Sequence, residues 1–122
     1  MEIYKIKEFV NAKIPDTGGR YKKEILTNEQ KAERFGGIFA ALLPHSQTPY
    51  HFHENRESII IAISGEAIEI VEGKEIPIKT NDVLFIPPKE KHGTVNRTDK
   101  EFRYLEFYTP ANVVDVVKLN DS

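Results

Sequence analysis

The side chains with the greatest chemical reach in this sequence are four histidines, at positions 45, 51, 53 and 92. Imidazole changes charge near neutral pH, and in its neutral form it is a nitrogen ligand for transition metals. Closely spaced histidines therefore raise the question of a metal centre or a proton relay. His51-Phe52-His53 is the informative pair. Side chains alternate between faces along a β-strand, so His51 and His53 share one face while Phe52 takes the other. That arrangement sets two nitrogen donors side by side with no backbone distortion. The simpler alternative is a pair of exposed or hydrogen-bonded histidines on a half-buried strand. His92 follows the turn signal Pro87-Pro88 and leads into a new strand, where a third ring can converge on the first two. His45 sits between Pro44 and Ser46 in a turn and is expected at the surface.

The sequence contains no cysteine, so any metal must be held by His, Asp or Glu, and thiolate nucleophiles, disulfides and iron-sulfur clusters are excluded. Glu57, if it points inward, is the candidate carboxylate for a ligand or a general base, and Tyr104 or Tyr108 would supply hydrogen bonds from a late strand. In Phe102-Arg103-Tyr104-Leu105-Glu106-Phe107-Tyr108 one parity reads Phe, Tyr, Glu, Tyr and the other Arg, Leu, Phe, so either set is a candidate lining. Ser46, Ser58 and Ser64 lack a nucleophile elbow. Gly18-Gly19-Arg20 reads as a flexible turn, and Lys22-Lys23 and Lys89-Glu90-Lys91 as solvated loops.

The elements that must carry these groups are short strands. Runs rich in β-branched and aromatic residues predict strands near Ile38 to Leu43, Tyr50 to His53, Ile59 to Ile63, Ala67 to Val71, Glu75 to Ile78, Val83 to Ile86, Gly93 to Asn96 and Phe102 to Tyr108. Turn-forming residues separate them at regular intervals, the pattern of a sandwich or barrel. The tail from Val113 to Val117 is β-branched enough for one strand more. The first 35 residues alternate poorly. Within them, Thr27-Asn28-Glu29-Gln30 reads as a capping box opening a short helical turn that Gly36-Gly37 would stop.

The 122 residues suit one domain, 1–122, with 39% hydrophobic and 30% charged residues, a composition too apolar for disorder. Seventeen Lys plus Arg against nineteen Asp plus Glu give a formal charge of -2, which offers no basic surplus for nucleic acid or an anionic membrane. Charges interrupt Met1-Glu2-Ile3-Tyr4-Lys5 before any signal-peptide core forms, and the longest apolar run, Ile59 to Ile63, is far short of a membrane span, so a cytoplasmic protein is expected.

Taken together, these residues resemble the cupins, whose motifs are Gly-x5-His-x-His-x3or4-Glu-x6-Gly and Gly-x5-Pro-x-Gly-x2-His-x3-Asn. Pro87, His92 and Asn96 match the second motif in spacing, with Asn81 and Lys89 standing where it has glycines. His51, His53 and Gly65 match the first, while its leading glycine falls on His45 and its glutamate on Ser58, one residue after Glu57. A one-residue slip turns a side chain to the opposite face. Glu57 therefore either reaches inward through a bulge or lies outside as a solvated acid, which would leave a set of three histidines.

The resemblance spans about residues 37 to 110 and implies an all-β fold. That fold is an antiparallel jelly-roll barrel, also called a double-stranded β-helix, with an N-terminal extension over about residues 1–36. It also implies one divalent transition metal (Fe, Mn, Ni, Cu or Zn) held by His51, His53, His92 and, if inward, Glu57. The implied function is a metal-dependent enzyme acting on a small polar molecule, by dioxygen chemistry or by isomerisation of a sugar or keto acid, with Glu57 and Tyr104 as proton-handling candidates. The alternative is a non-catalytic binder of a sugar or metabolite. A homodimer is expected, in which the apolar positions Ile3, Ile6, Phe9 and Val10 would cover a partner's sheet edge.

Overall fold

The computed structural model describes residues 1–16, 18–111 and 116–119. A short helix α1 (Ile6–Val10) precedes β1 (Arg20–Leu26), β2 (Gly36–Leu42), β3 (His51–His53), β4 (Glu57–Ser64) and β5 (Glu66–Val71). β6 (Lys74–Lys79), β7 (Val83–Ile86), β8 (His92–Val95), β9 (Phe102–Thr109) and β10 (Val116–Lys118) follow. The described strands form two five-stranded sheets with antiparallel neighbours, in the orders β1-β2-β9-β4-β7 and β10-β3-β8-β5-β6. Among the described residues no helix is long and apolar enough to cross a membrane.

The main core lies between the sheets. Ile38, Ala40 and Leu42 of β2, Ile60 and Ala62 of β4, and Phe102 and Tyr104 of β9 meet Ala67 and Ile78 from the facing sheet. These residues recur every second position, as a half-buried strand requires. β2 is buried along its whole length, however, because a second cluster covers its outer face. Phe39, Ile63 and Leu105 point outward there and are packed under Phe9, Val10, Ala12 and Ile14 of the N-terminal segment. A sheet covered on both faces reads as a continuous apolar run, which accounts for Gly37 to Leu43 and Ile60 to Ile63, whereas Ile59 is exposed.

Arg103 fastens this cover. Its Nη1 donates to the carbonyl oxygens of Phe9 and Ala12, each at 2.7 Å, and its Nε is bonded to Glu101. Phe9 and Val10 thus pack on their own chain, while Ile3 and Ile6 remain exposed.

Most of the strands lie where the sequence pattern places them, and the capping box forms. Thr27 Oγ1 accepts from Glu29 N at 3.2 Å and Gln30 Oε1 from Thr27 N at 2.8 Å around a short 3-10 turn. The extension, however, is not strand-free. Arg20 to Leu26 is an edge strand paired with β2, so Lys22-Lys23 lies on a strand and not in a solvated loop. Its sequence, Arg-Tyr-Lys-Lys-Glu-Ile-Leu, hides the alternation because charged residues occupy both parities. Of the expected tail strand, residues 113–115 lie outside the described residues, and Val116–Lys118 pairs with β3.

Candidate functional site: three imidazoles facing a cationic wall

Register brings the histidines together. In the β3/β8 pairing His51 stands directly opposite His92, and the period of two puts His53 on the same face as His51. The ring centroids of His51 and His92 are 4.4 Å apart, those of His51 and His53 5.1 Å. All three rings line one cavity of about 350 Å³. The two positions where the motif's glycines are absent keep a left-handed backbone, with φ 81° at Asn81 in the β6–β7 turn and 69° at Lys89 in the turn that delivers His92. Gly65 is needed as glycine: its φ is +88°, and a Cβ there would lie 2.6 Å from the carbonyl oxygen of Glu101.

Hydrogen bonds fix which nitrogens face the cavity. His51 Nδ1 lies 2.8 Å from the carbonyl oxygen of Pro49, which can only accept, so Nδ1 carries the proton and Nε2 keeps its lone pair. Burial, with smaller effects from His92, His53 and Arg20, lowers the pKa of His51 from 6.5 to about 4 against the opposing pull of that bond. The ring is neutral at physiological pH. His92 Nδ1 is held at 2.9 Å by Glu69 Oε2, and Thr94 Oγ1 donates to Glu69 Oε1 at 2.6 Å. Glu69 is 1% exposed, and on β5 it stands opposite Thr94. A carboxylate behind a histidine orients the ring and makes its far nitrogen a better donor. Glu69 does not stand out in the sequence because an acid between Ile68 and Ile70 on a hairpin strand has the alternating pattern of a solvated face.

The opposite wall comes from β1, β4 and β9. Tyr104, Glu106 and Tyr108 face the cavity, while Arg103 and Leu105 face outward, which decides the parity of β9. Arg20 and Lys22 of β1 also line it, with Tyr21 on the outer face, so the Gly18-Gly19-Arg20 turn opens directly onto the site. Arg20 Nη2 donates to the Tyr104 hydroxyl at 3.0 Å, and its Nε is buried without a hydrogen-bond partner among the described residues. Burial raises the Tyr104 pKa to about 12 despite the Arg20 guanidinium, so Tyr104 is a neutral phenol. The Arg56 guanidinium lies 4.1 Å above the Tyr108 ring. Arg20, Lys22, Arg56 and Lys118 thus surround a lining in which Glu106 is the only carboxylate among the described residues.

The remaining sequence candidates lie elsewhere. Glu57 is exposed at the start of β4 and does not line the cavity, whereas Ser58 beside it is buried. The register irregularity in β4 falls between Ala62 and Ser64, past the point where it could turn Glu57 inward. His45 Nε2 is 2.6 Å from Asp99 Oδ1 at the surface. Asn96 is fully buried and structural: Nδ2 donates to the carbonyl oxygens of Leu42, Leu43 and Lys100, and Oδ1 accepts from Thr98.

The family model described as Cupin domain matches residues 38–108, which runs from the start of the core on β2 to the end of the cavity lining on β9. The chain belongs to the cupin family. Among curated proteins, the "Oxalate-binding protein" of Thermotoga maritima is 33% identical over 91 residues, covering 70% of this chain and 75% of that one. The "H2HPP isomerase" of Bacillus subtilis is 31% identical over 64 residues, 52% of this chain, a match that spans 27% of that longer protein. The crystal structure of an uncharacterised Klebsiella pneumoniae protein with a double-stranded β-helix domain superposes with a TM-score of 0.80 at 19% identity, covering 99% of both chains. That likeness is one of fold.

Cupins commonly bind a metal. The donor set of this cupin fits one in type and tautomer, because His51 and His92 are locked with Nδ1 occupied and Nε2 directed away from that bond. Among the described residues no group of three or more His, Asp or Glu side chains is arranged so as to hold a metal ion as it stands.

Proposed function

We propose that this cupin is a metal-dependent enzyme acting on a small anionic molecule, with isomerisation of a keto acid or sugar derivative as the favoured chemistry. The observation that carries the reading is the gathering of His51, His53 and His92 in a cavity otherwise ringed by Arg20, Lys22, Arg56 and Lys118. His51, His53 and His92 would hold the metal, with Glu69 setting the orientation of His92. Bound there, a divalent metal supplies Lewis-acid polarisation of an oxygen atom on the substrate.

The chain's own residues supply the rest. The Arg20 guanidinium, whose buried Nε has no partner among the described residues, is suited to a carboxylate or phosphate oxygen. Lys22 and Lys118 are exposed, and their charge draws anions toward the mouth. The neutral Tyr104 hydroxyl, anchored by Arg20, is a hydrogen-bond donor that does not add negative charge to the site. A cavity of about 350 Å³ suits a small metabolite and not a polymer.

Elemental analysis of untagged protein tests the reading, with one metal per wild-type chain expected and loss of that metal in both His51→Ala and His92→Ala. Metal retained in either variant, or absent from the wild type after incubation with each candidate ion, would refute it. A second reading, a non-catalytic binder of a small dicarboxylate, is favoured by the oxalate-binding relative, three quarters of whose length is matched. Tight oxalate binding by metal-loaded protein, with neither oxygen consumption nor carbonyl isomerisation, would select it.

A further inference from the structure

Glu106 is placed to do chemistry that the motif residues leave undone. It lies on β9 between Tyr104 and Tyr108 on the cavity-facing parity, opposite Ile38 on β2 and Ile60 on β4. It is half-buried, and among the described residues its carboxylate makes no hydrogen bond or ion pair. Among the described residues, the two other acids nearest this role are committed or outside. Glu69 is held by His92 and Thr94, and Glu57 is exposed with Ser58 in the position the motif gives to glutamate. A carboxylate kept unpaired in a cavity that contains four cations is poorly explained as a structural group, because folding would gain by pairing it.

We infer that Glu106 is the proton acceptor of the site, acting on a small 2-oxo acid whose carboxylate is met by the cationic wall. The inference rests on the proposed function and assigns its base and substrate class. In the step, the bond from hydrogen to the carbon beside the carbonyl breaks and its proton forms a bond to a Glu106 oxygen. The electron pair moves into the carbon framework and leaves the negative charge on the carbonyl oxygen as an enolate. Delivery to that carbon of a proton that Glu106 has traded with solvent, or delivery of a proton to a carbon further along a conjugated chain, restores the carbonyl and frees the carboxylate. The result is exchange in the first case and isomerisation in the second, with no oxidant or reductant. Arg20 and the Tyr104 hydroxyl it holds provide positive charge and a donor against the enolate.

The test is exchange of the carbon-bound protons of pyruvate and 2-oxobutyrate with D2O, followed by proton NMR on metal-loaded protein. Wild type is expected to exchange well above the buffer rate, and Glu106→Gln to lose about 100-fold or more. Its metal content and melting temperature should stay unchanged, and its oxalate affinity should be no weaker, since a negative charge has been removed. Glu106→Asp, which keeps a carboxylate one bond shorter, is expected to recover part of the rate. Exchange by Glu106→Gln within about threefold of wild type would overturn the inference. So would a metal-loaded, oxalate-binding wild type that exchanges no faster than buffer, an outcome that leaves the proposed metal and anion site standing. Glu106-dependent exchange in protein that binds no metal would do the reverse: it would support the base and sink the metal-dependent reading.

Discussion

The two sheets of this cupin line the same cavity with different balances of group. The sheet that carries β3, β5 and β8 contributes imidazole nitrogens, with one buried carboxylate behind them whose partners are His92 and Thr94, and a single cation, Lys118, from its β10 edge. The sheet that carries β1, β4 and β9 contributes charge and hydroxyls: Arg20, Lys22, Tyr104, Glu106 and Tyr108. They also differ behind the site. The outer face of the charged sheet is covered by the N-terminal segment through Phe39, Ile63 and Leu105, and Arg103 pins that cover in place. Positions of hydrogen-bonded donors are set within the sheet by strand register, whereas charged groups on long side chains depend on how firmly their strand is held from behind.

Three experiments break or sharpen that contrast. The largest effect is expected on the donor side. Glu69→Gln keeps the shape of the group and removes its charge, so metal affinity should fall roughly 10- to 100-fold, measured by competition with a calibrated chelator. Unchanged affinity would mean that the carboxylate does not tune His92.

Next is the cover behind the charged wall. Arg103→Ala removes two charge-assisted bonds to the carbonyl oxygens of Phe9 and Ala12 and should cost about 2 kcal/mol in denaturant unfolding. It should also open the N-terminal segment to limited proteolysis while metal content stays at the wild-type level. Loss of metal in that variant would show that the two walls are mechanically coupled.

The third effect, confined to acid pH, is the acid limb of stability. His51 titrates near 4 in the folded chain against an ordinary 6.5, so between those values the unfolded chain binds a proton that the folded chain refuses. The contribution of this group is intact above about pH 6.5, declines as the pH falls and is fully lost below about 4. Metal-free protein should therefore melt at progressively lower temperature over that window, and His51→Gln should flatten the trend. An identical pH slope in the variant would place the titrating group elsewhere.

Period-two alternation and regularly spaced turns are local properties, so the strand pattern, the shared face of His51 and His53, and the turn before His92 were legible from the chain alone. The same rule placed Glu57 and Ser58 on opposite faces, and which of them lay inside needed the register of β4 against β7 and β9. The parity of β9 was undecidable because both of its faces are apolar enough to be buried: one looks into the cavity and the other lies beneath the N-terminal cover.

β1 was obscured because it turns charged side chains inward, against the usual polarity of a half-buried strand. Arg20 and Lys22 point into a polar cavity and Tyr21 outward into an apolar cluster. Glu69 likewise reads as a surface acid until β8 is laid beside β5 and puts His92 and Thr94 within hydrogen-bonding reach. The sequence by itself determined which residues share a face, because that depends only on the geometry of one strand. Which face is the inside, and which distant groups meet there, was decided by pairing between strands far apart in the chain, whose energetics lie in burial and register and not in any local pattern.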